Sequence, residues 1–375
     1  MKYFIIAGEQ SGDLHGSNLV RELFIADKEA EIVCWGGDLM ESAGAKILMH
    51  IRNTAVMGIL LILKNIRTIK KNFLLCKQQI EEYKPDVVIL IDYPSFNLPI
   101  ARYAKKSGIR VFYYISPKFW AWREYRVKQI KKYTDSIFII FPFEVEFYRK
   151  HNISAEYYGN PLVDEVERKK SSLPSEAEIK KLLGIGEKPV IAILAGSRKF
   201  EVEYNLPQML KAVHHFPQYQ FVLAGVKNLP DDLYYKIIGN EPVILIKDKT
   251  YEILYAANAA MVASGTATLE TALFDTPQIV GYRGDFFSML LVWVLLKVKY
   301  ISLVNLILDS EVVRELLEYA LNEKKLVKEL TGILPGGQKR EKMLADYKRL
   351  KEKLGPAGAS GRIARAMVVK MGLRD

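Results

Sequence analysis

Short apolar runs of strand length alternate with segments of helical periodicity through most of this 375-residue chain, and the alternation breaks off and restarts once. That pattern selects a parallel α/β sheet, because each strand must be buried on both faces by the helices that follow it. In the first half, strands are expected at 3–7, 32–35, 87–91, 111–115, 137–140 and 156–158, and helices at 17–24, 66–83, 98–106 and 124–132. A charged stretch follows at 164–174, Asp-Glu-Val-Glu-Arg-Lys-Lys-Ser-Ser-Leu-Pro. Strands then resume at 190–194, 221–224, 243–246, 259–262 and 278–280. From Glu311 onward the pattern reads as helical, with breaks at 332–338 and 355–358.

Two α/β units with a hydrophilic join predict two Rossmann-like domains facing across a cleft. The expected boundaries are 1–164 for the first domain, 165–176 for a linker and 177–345 for the second domain. A C-terminal helical segment, 346–375, is expected to return to the first.

Half of the residues are apolar and 26% are charged, the balance of a globular chain with a substantial core. Cys34 and Cys76 have no metal-ligand spacing and read as packing residues in a reducing compartment. The opening residues 1–8 run straight into a glycine-containing segment and read as a first core strand rather than a signal peptide. No stretch reaches the ~18–20 apolar residues of a membrane span. The longest apolar candidates, 54–63 and 286–296, suit either a buried helix or an interfacial segment.

Charge is uneven. Residues 51–150 hold 19 Lys and Arg against 8 Asp and Glu, which accounts for the whole net charge of +11. Such a surface suits nucleic acid, anionic lipid or phosphorylated substrates, and ordinary solvation accounts for it equally. No zinc-finger, RNP or basic-heptad pattern accompanies it, so nucleic acid is not expected as a partner.

Four segments could carry chemistry. Gly8-Glu9-Gln10-Ser11-Gly12-Asp13-Leu14-His15-Gly16 follows the first strand and is not a GxGxxG fingerprint. It reads either as a plain βα turn or as a site presenting Ser11, Asp13 and His15 at a strand's carboxyl end. Asp92 ends the apolar run 87–91, a setting that suits a general base, an N-cap or a ribose-binding carboxylate. Gly196-Ser197-Arg198 ends the first strand of the second domain, where the guanidinium can fork onto phosphate oxygens or simply face solvent. Ser264-Gly265-Thr266 opens a helix whose N-terminus can face a diphosphate, with Glu270 one turn in, placed for ribose hydroxyls or for helix stabilisation.

Other chemistries lack their residues. There is no D-x-D for a metal-bound nucleotide, no HxxxH, no P-loop and no G-x-S-x-G, and no metal site is expected.

Together with Ala55-Val56-Met57-Gly58, Lys84-Pro85-Asp86 and Ile91–Asn97, these segments resemble the lipid-A-disaccharide synthase family. Further matches are Ser116-Pro117-Lys118-Phe119-Trp120-Ala121-Trp122-Arg123, Phe141-Pro142-Phe143-Glu144, Gly159-Asn160-Pro161-Leu162, Val280-Gly281-Tyr282-Arg283 and Tyr300-Ile301-Ser302-Leu303-Val304-Asn305-Leu306. The resemblance covers nearly the whole chain.

It implies a metal-independent glycosyltransferase of two-domain GT-B type with no cofactor. The implied reaction joins UDP-2,3-diacylglucosamine to 2,3-diacylglucosamine 1-phosphate, giving a β-1,6 disaccharide and UDP with inversion. The resemblance implies Asp92 as the base, and Arg198 and Glu270 on the nucleotide with Gly196, Ser197, Ser264, Gly265 and Thr266. It implies Asn305 at the border of the donor site. Because the substrates are acylated, it also implies a cytoplasmic enzyme held peripherally on the inner face of the membrane. Ile59, Leu60 and Leu63 beside Lys64 and Arg67 are the candidate contacts with anionic lipid. Oligomeric state, a homodimer included, is left open.

Ser95, Val304 and Glu318 depart from the family pattern. UDP-N-acetylglucosamine 2-epimerases and the peptidoglycan glycosyltransferase, which share the fold, remain alternatives, as does a non-catalytic nucleotide-sugar binder.

Overall fold

A computed structural model describes residues 1–53, 66–121, 124–284 and 299–372. Ile59, Leu60, Leu63 and Lys64 therefore lie outside the described residues. The chain forms two compact units, residues 1–164 with 356–375, and residues 165–355.

The first unit runs β1 (Lys2–Ala7), α1 (Gln10–Ala26), β2 (Glu31–Gly36), α2 (Asp38–Ser42), β3 (Lys46–His50), α3 (Ile66–Tyr83), β4 (Val87–Ile91) and α4 (Pro94–Lys106). It continues with β5 (Arg110–Tyr114), α5 (Val127–Tyr133), β6 (Ser136–Ile139), α6 (Phe143–Lys150) and β7 (Glu156–Tyr157). Its strands form one sheet in the order β3-β2-β1-β4-β5-β6-β7, with every neighbouring pair parallel. Ala7 pairs with Ile91, and Ile91 with Tyr114, so the carboxyl ends of β1, β4 and β5 lie level. One face buries Phe4, Ile6, Val88, Leu90 and Tyr113 against apolar side chains of α3 to α6.

The helix α7 (Pro161–Ser172) carries the chain into the second unit. There follow α8 (Glu176–Leu182), β8 (Val190–Leu194), α9 (Lys199–Leu210), β9 (Gln220–Gly225), α10 (Asp231–Ile238), β10 (Val243–Lys247), α11 (Thr250–Ala256) and β11 (Ala257–Ala263). Then come α12 (Thr266–Leu273), β12 (Gln278–Tyr282), α13 (Leu303–Leu308), β13 (Arg314–Leu317), α14 (Glu323–Ile333) and α15 (Arg340–Leu354). Its parallel sheet is ordered β10-β9-β8-β11-β12-β13. The last helix, α16 (Ala359–Lys370), packs on α1 in the first unit.

Three expectations need correction. The join at 165–176 is not an extended linker: residues 165–172 are helical, because Val163 and Val166 recur on a buried face. The boundary at 346 falls inside α15, which stays with the second unit because Met343, Tyr347, Leu350 and Leu354 are buried along one stripe. The region after Glu311 is not helical throughout, since Arg314–Leu317 adds a parallel edge strand to β12. Among the described residues no helix is long and apolar enough to cross a membrane.

Asp164, the last residue of the first unit's opening segment, accepts N–H bonds from Gly358 (2.7 Å), Ala359 (3.0 Å) and Ser360 (2.8 Å). One carboxylate thus satisfies the orphan donors at the start of α16. Asp164→Ala should cost about 2 kcal/mol in urea unfolding, and Asp164→Asn should recover part of it.

Candidate functional site

In both sheets the strand order reverses beside the first strand of the unit, between β1 and β4 and between β8 and β11. Open α/β sheets bind ligands at the carboxyl ends of the strands flanking such a reversal. Asp92 lies at the first reversal, and the Gly196–Arg198 and Ser264–Thr266 loops lie at the second.

Asp92 (φ 43°) and Tyr93 (φ 47°) are both left-handed, and Ile115 after β5 is left-handed too at φ 59°. Left-handed backbone is unfavourable for non-glycine residues and rare for a β-branched one. Dedicated bonds hold it here. The Asp92 N–H donates to Tyr114 O and Ile115 O, both at 3.2 Å. Its carbonyl accepts from Tyr113 Oη (2.6 Å) and Asn97 Nδ2 (2.8 Å). The carboxyl group is thereby left half-buried on a rigid turn. Burial pushes it up to about 6, opposed by Lys118 and by the Tyr93 N–H and reinforced by Glu9.

The Gly8–Gly16 segment differs from its expected form. Helix α1 starts at Gln10, so Gly12 and Gly16 are helical rather than loop residues. Gly8 is needed because the Tyr93 ring packs where a Cβ would stand, 2.3 Å away. Asp13 is buried, and its carboxylate accepts from the N–H groups of Gly37 (2.7 Å), Leu39 (3.1 Å) and Met40 (3.1 Å), fixing the start of α2. His15 is buried and held down to about 4 by that burial, against the opposing charge of Asp164. Ser11 is exposed.

In the second unit Gly196 has φ 124°. The N–H groups of Ser197 (2.9 Å) and Arg198 (3.2 Å) donate to Glu201 Oε2, and the exposed Arg198 guanidinium lies 3.5 Å from Glu201 Oε1. Helix α12 begins at Gly265 with no side-chain cap and open space where a Cβ would be, so its N-terminus is accessible to an anion. Thr266 is exposed, and Ser264 Oγ donates to Ile301 O (3.0 Å). Glu270 accepts from Tyr251 Oη at 2.9 Å; burial raises its pKa, the Tyr251 bond opposes this and Glu165 adds to it.

Asn305 is fully buried, its Nδ2 donates to Val313 O (2.8 Å) and Glu315 Oε1 (2.9 Å), and its Oδ1 accepts from Val312 N and Val313 N. All four valences of the amide close its own loop, so the side chain is structural. Among the described residues no group of three or more His, Cys, Asp or Glu is placed to hold a metal ion.

The model of the lipid-A-disaccharide synthetase family matches residues 3–365. The chain belongs to that family. It is 39% identical over 369 residues to the lipid-A-disaccharide synthase of Syntrophus aciditrophicus, covering 96% of this chain and 95% of that one. Identity is 34% over 380 residues to the Geobacter metallireducens lipid-A-disaccharide synthase, covering 99% and 97%. The fold is similar to that of the Neisseria meningitidis UDP-GlcNAc 2-epimerase bound to UDP-GlcNAc (TM-score 0.70, 13% identity, 98% and 100% covered). It is also similar to the calicheamicin glycosyltransferase CalG4 (TM-score 0.62, 11% identity, 99% of each covered). Membership makes the protein a glycosyltransferase of lipid A disaccharide synthesis, with GT-B architecture.

Three residues beside these segments carried no expected role. Glu201 occupies the amides beside Gly196, and its signal is its place three residues into the helix after Arg198. Asn205 bridges Ala195 O (3.2 Å) and Arg283 N (2.8 Å). Glu144, inside a matching segment, is a buried carboxylate that burial pushes up to about 8.

Because the folded state holds the Asp92 proton more tightly than the unfolded chain, Asp92 lowers stability as pH rises from about 4 to about 6, and the full cost persists above that. Asparagine also tolerates a left-handed backbone. Asp92→Asn should therefore raise stability at pH 7 by ~1–2 kcal/mol. In thermal melts the gain should be small at pH 4 and grow to a plateau above pH 6.

Proposed function

We propose that the protein transfers the 2,3-diacylglucosaminyl group of its UDP donor to the 6-hydroxyl of 2,3-diacylglucosamine 1-phosphate. Asp92 takes the hydroxyl proton, the oxygen attacks the anomeric carbon, and UDP leaves from the opposite face, giving the β-1,6 disaccharide by inversion. The observation that carries this reading is a carboxylate held rigidly at the reversal of the first sheet, shifted to about 6 in a chain of this family. It is charged at neutral pH, yet basic enough to accept a proton in the transition state.

On the donor side, the Arg198 guanidinium and the uncapped start of α12 would balance the charge growing on the diphosphate. Glu270, steadied by Tyr251, would take the ribose hydroxyls. Glu201 would have to yield its two loop amides to a phosphate, or share them through Arg198. The acylated substrates, together with the exposed Arg67, Lys70, Lys71 and Leu74 of α3, support peripheral association with an anionic membrane. Salt-sensitive co-sedimentation with anionic vesicles tests that association.

Incubation with the two acylated glucosamine substrates should yield the disaccharide 1-phosphate by mass spectrometry, with turnover falling on the acid side around pH 6. Asp92→Asn should bind UDP normally and lose roughly 10²–10⁴-fold in turnover; parental turnover would refute the base. Calorimetry with UDP should show weaker binding for both Arg198→Ala and Glu270→Ala, and parental affinity in either removes that residue from the nucleotide site.

A further inference from the structure

The loop that leaves β5 sets an exposed cation, Lys118, among buried anchors. Ser116 is buried and its hydroxyl bonds to that of Tyr148, while Pro117, Phe119 and Ala121 are also buried. Lys118 stands out between them, with its carbonyl accepting from Ala121 N (3.1 Å). The loop is held from outside at Trp120, whose Nε1–H donates to Glu144 Oε1 at 3.1 Å. The same indole meets Phe143 edge-on, with centroids 4.9 Å apart, and Phe143 stacks on Phe141. Glu144 Oε2 also accepts from Ile140 N (3.3 Å) and Phe141 N (3.1 Å), anchoring the carboxylate to the end of β6.

A carboxylate buried this completely is costly, and its three N–H donors offset that cost only in part. What it secures is the loop that starts at Ile115, whose carbonyl accepts the Asp92 N–H at 3.2 Å, and that carries Lys118 three residues further on. Among the described residues, Lys118 is the positive charge that acts on both Asp92 and Glu144.

We infer that Glu144 and Trp120 form a clasp that sets Lys118 against Asp92, making Glu144 a positioning residue and Lys118 the cation that keeps the base ionised. Of the other groups around Asp92, Glu9 beyond β1 is an acid and Tyr93 and Tyr113 are phenols held neutral by burial, while Arg126, lying over the Phe119 ring, acts on Tyr113 and is not among the charges that act on Asp92. Around Glu144 stand Lys118, Tyr148 and Tyr157, so no second cation among the described residues duplicates the role. Removing Lys118 leaves burial and Glu9 to favour the protonated acid. A base must be ionised to act, so the acid limb of activity must then move to higher pH.

The inference rests on Asp92 as the base, and the pH dependence of kcat/KM tests it. Lys118→Met should move the acid limb up by about one unit, and Lys118→Arg should restore it. Trp120→Phe keeps the ring against Phe143 but removes the donor, and should move the limb in the same direction. Glu144→Leu, which removes the acceptor for the Trp120 N–H, should do likewise, and Trp120→Phe stands in for it if that variant fails to fold. In the Lys118→Met background, Trp120→Phe should add no further shift, because the clasp acts only through the lysine. An unmoved acid limb in Lys118→Met overturns the role of the cation. An unmoved limb in Trp120→Phe, whatever its effect on melting temperature or kcat, overturns the clasp. Asp92→Asn separates the two levels: if it retains parental turnover the base itself is wrong, whereas an inactive Asp92→Asn beside an unmoved Lys118→Met limb sinks only the present inference.

Discussion

The hydrogen-bonded register between β1, β4 and β5 is the constraint on which the first unit depends. Because Ala7, Ile91 and Tyr114 end level, the three chain segments that follow emerge side by side. The sheet also reverses its order at β1, so the elements after β1 and β4 can leave on opposite faces. Gly12 of α1 comes near Ile91 on one face, while Phe96, Leu98 and Ile100 of α4 pack with Phe4, Val88 and Leu90 on the other. A groove at that edge follows from topology before any catalytic side chain is chosen.

Backbone strain is present at the same edge. Asp92, Tyr93 and Ile115 are left-handed within one hydrogen-bonded patch, where glycine or asparagine would be easier. The surrounding bonds from Tyr113 and Asn97 go to the main chain of Asp92, not to its carboxylate. The fold therefore fixes where the carboxylate starts, with the adjacent Tyr93 N–H the backbone donor that reaches its oxygens. Burial of the acid and strain in its backbone both lower stability, which is the usual relation between a working site and the fold that carries it.

Much of this was legible in the residues. The strands at 87–91 and 190–194 and the helix at 66–83 coincide with those of the structure, since each is a long run with one clear period. The strands at Lys46–His50 and Arg314–Leu317 escaped because they are sheet edges, half-exposed and partly charged, with apolar runs too short to stand out. Residue type located the polar positions at the site but not their partners. Asp13 and Asn305 look available in the sequence and are occupied in the fold, because backbone N–H donors from residues 24 to 27 and 7 to 8 positions away converge on them. Glu144 and Glu201 escaped for the converse reason: a glutamate early in a helix reads as helix stabilisation, and only the folded loop reveals what else it holds.

The Asp164 carboxylate ties the residue at which the chain leaves the first unit to those with which it comes back, almost two hundred positions later. That closure has a bearing on synthesis. The second unit, ending at Gly355, has its whole sequence in hand once that residue clears the ribosome. The first unit, although begun earlier, is complete only when residues 359–370 supply α16 to the flank of α1. Until then a side of α1 stays uncovered.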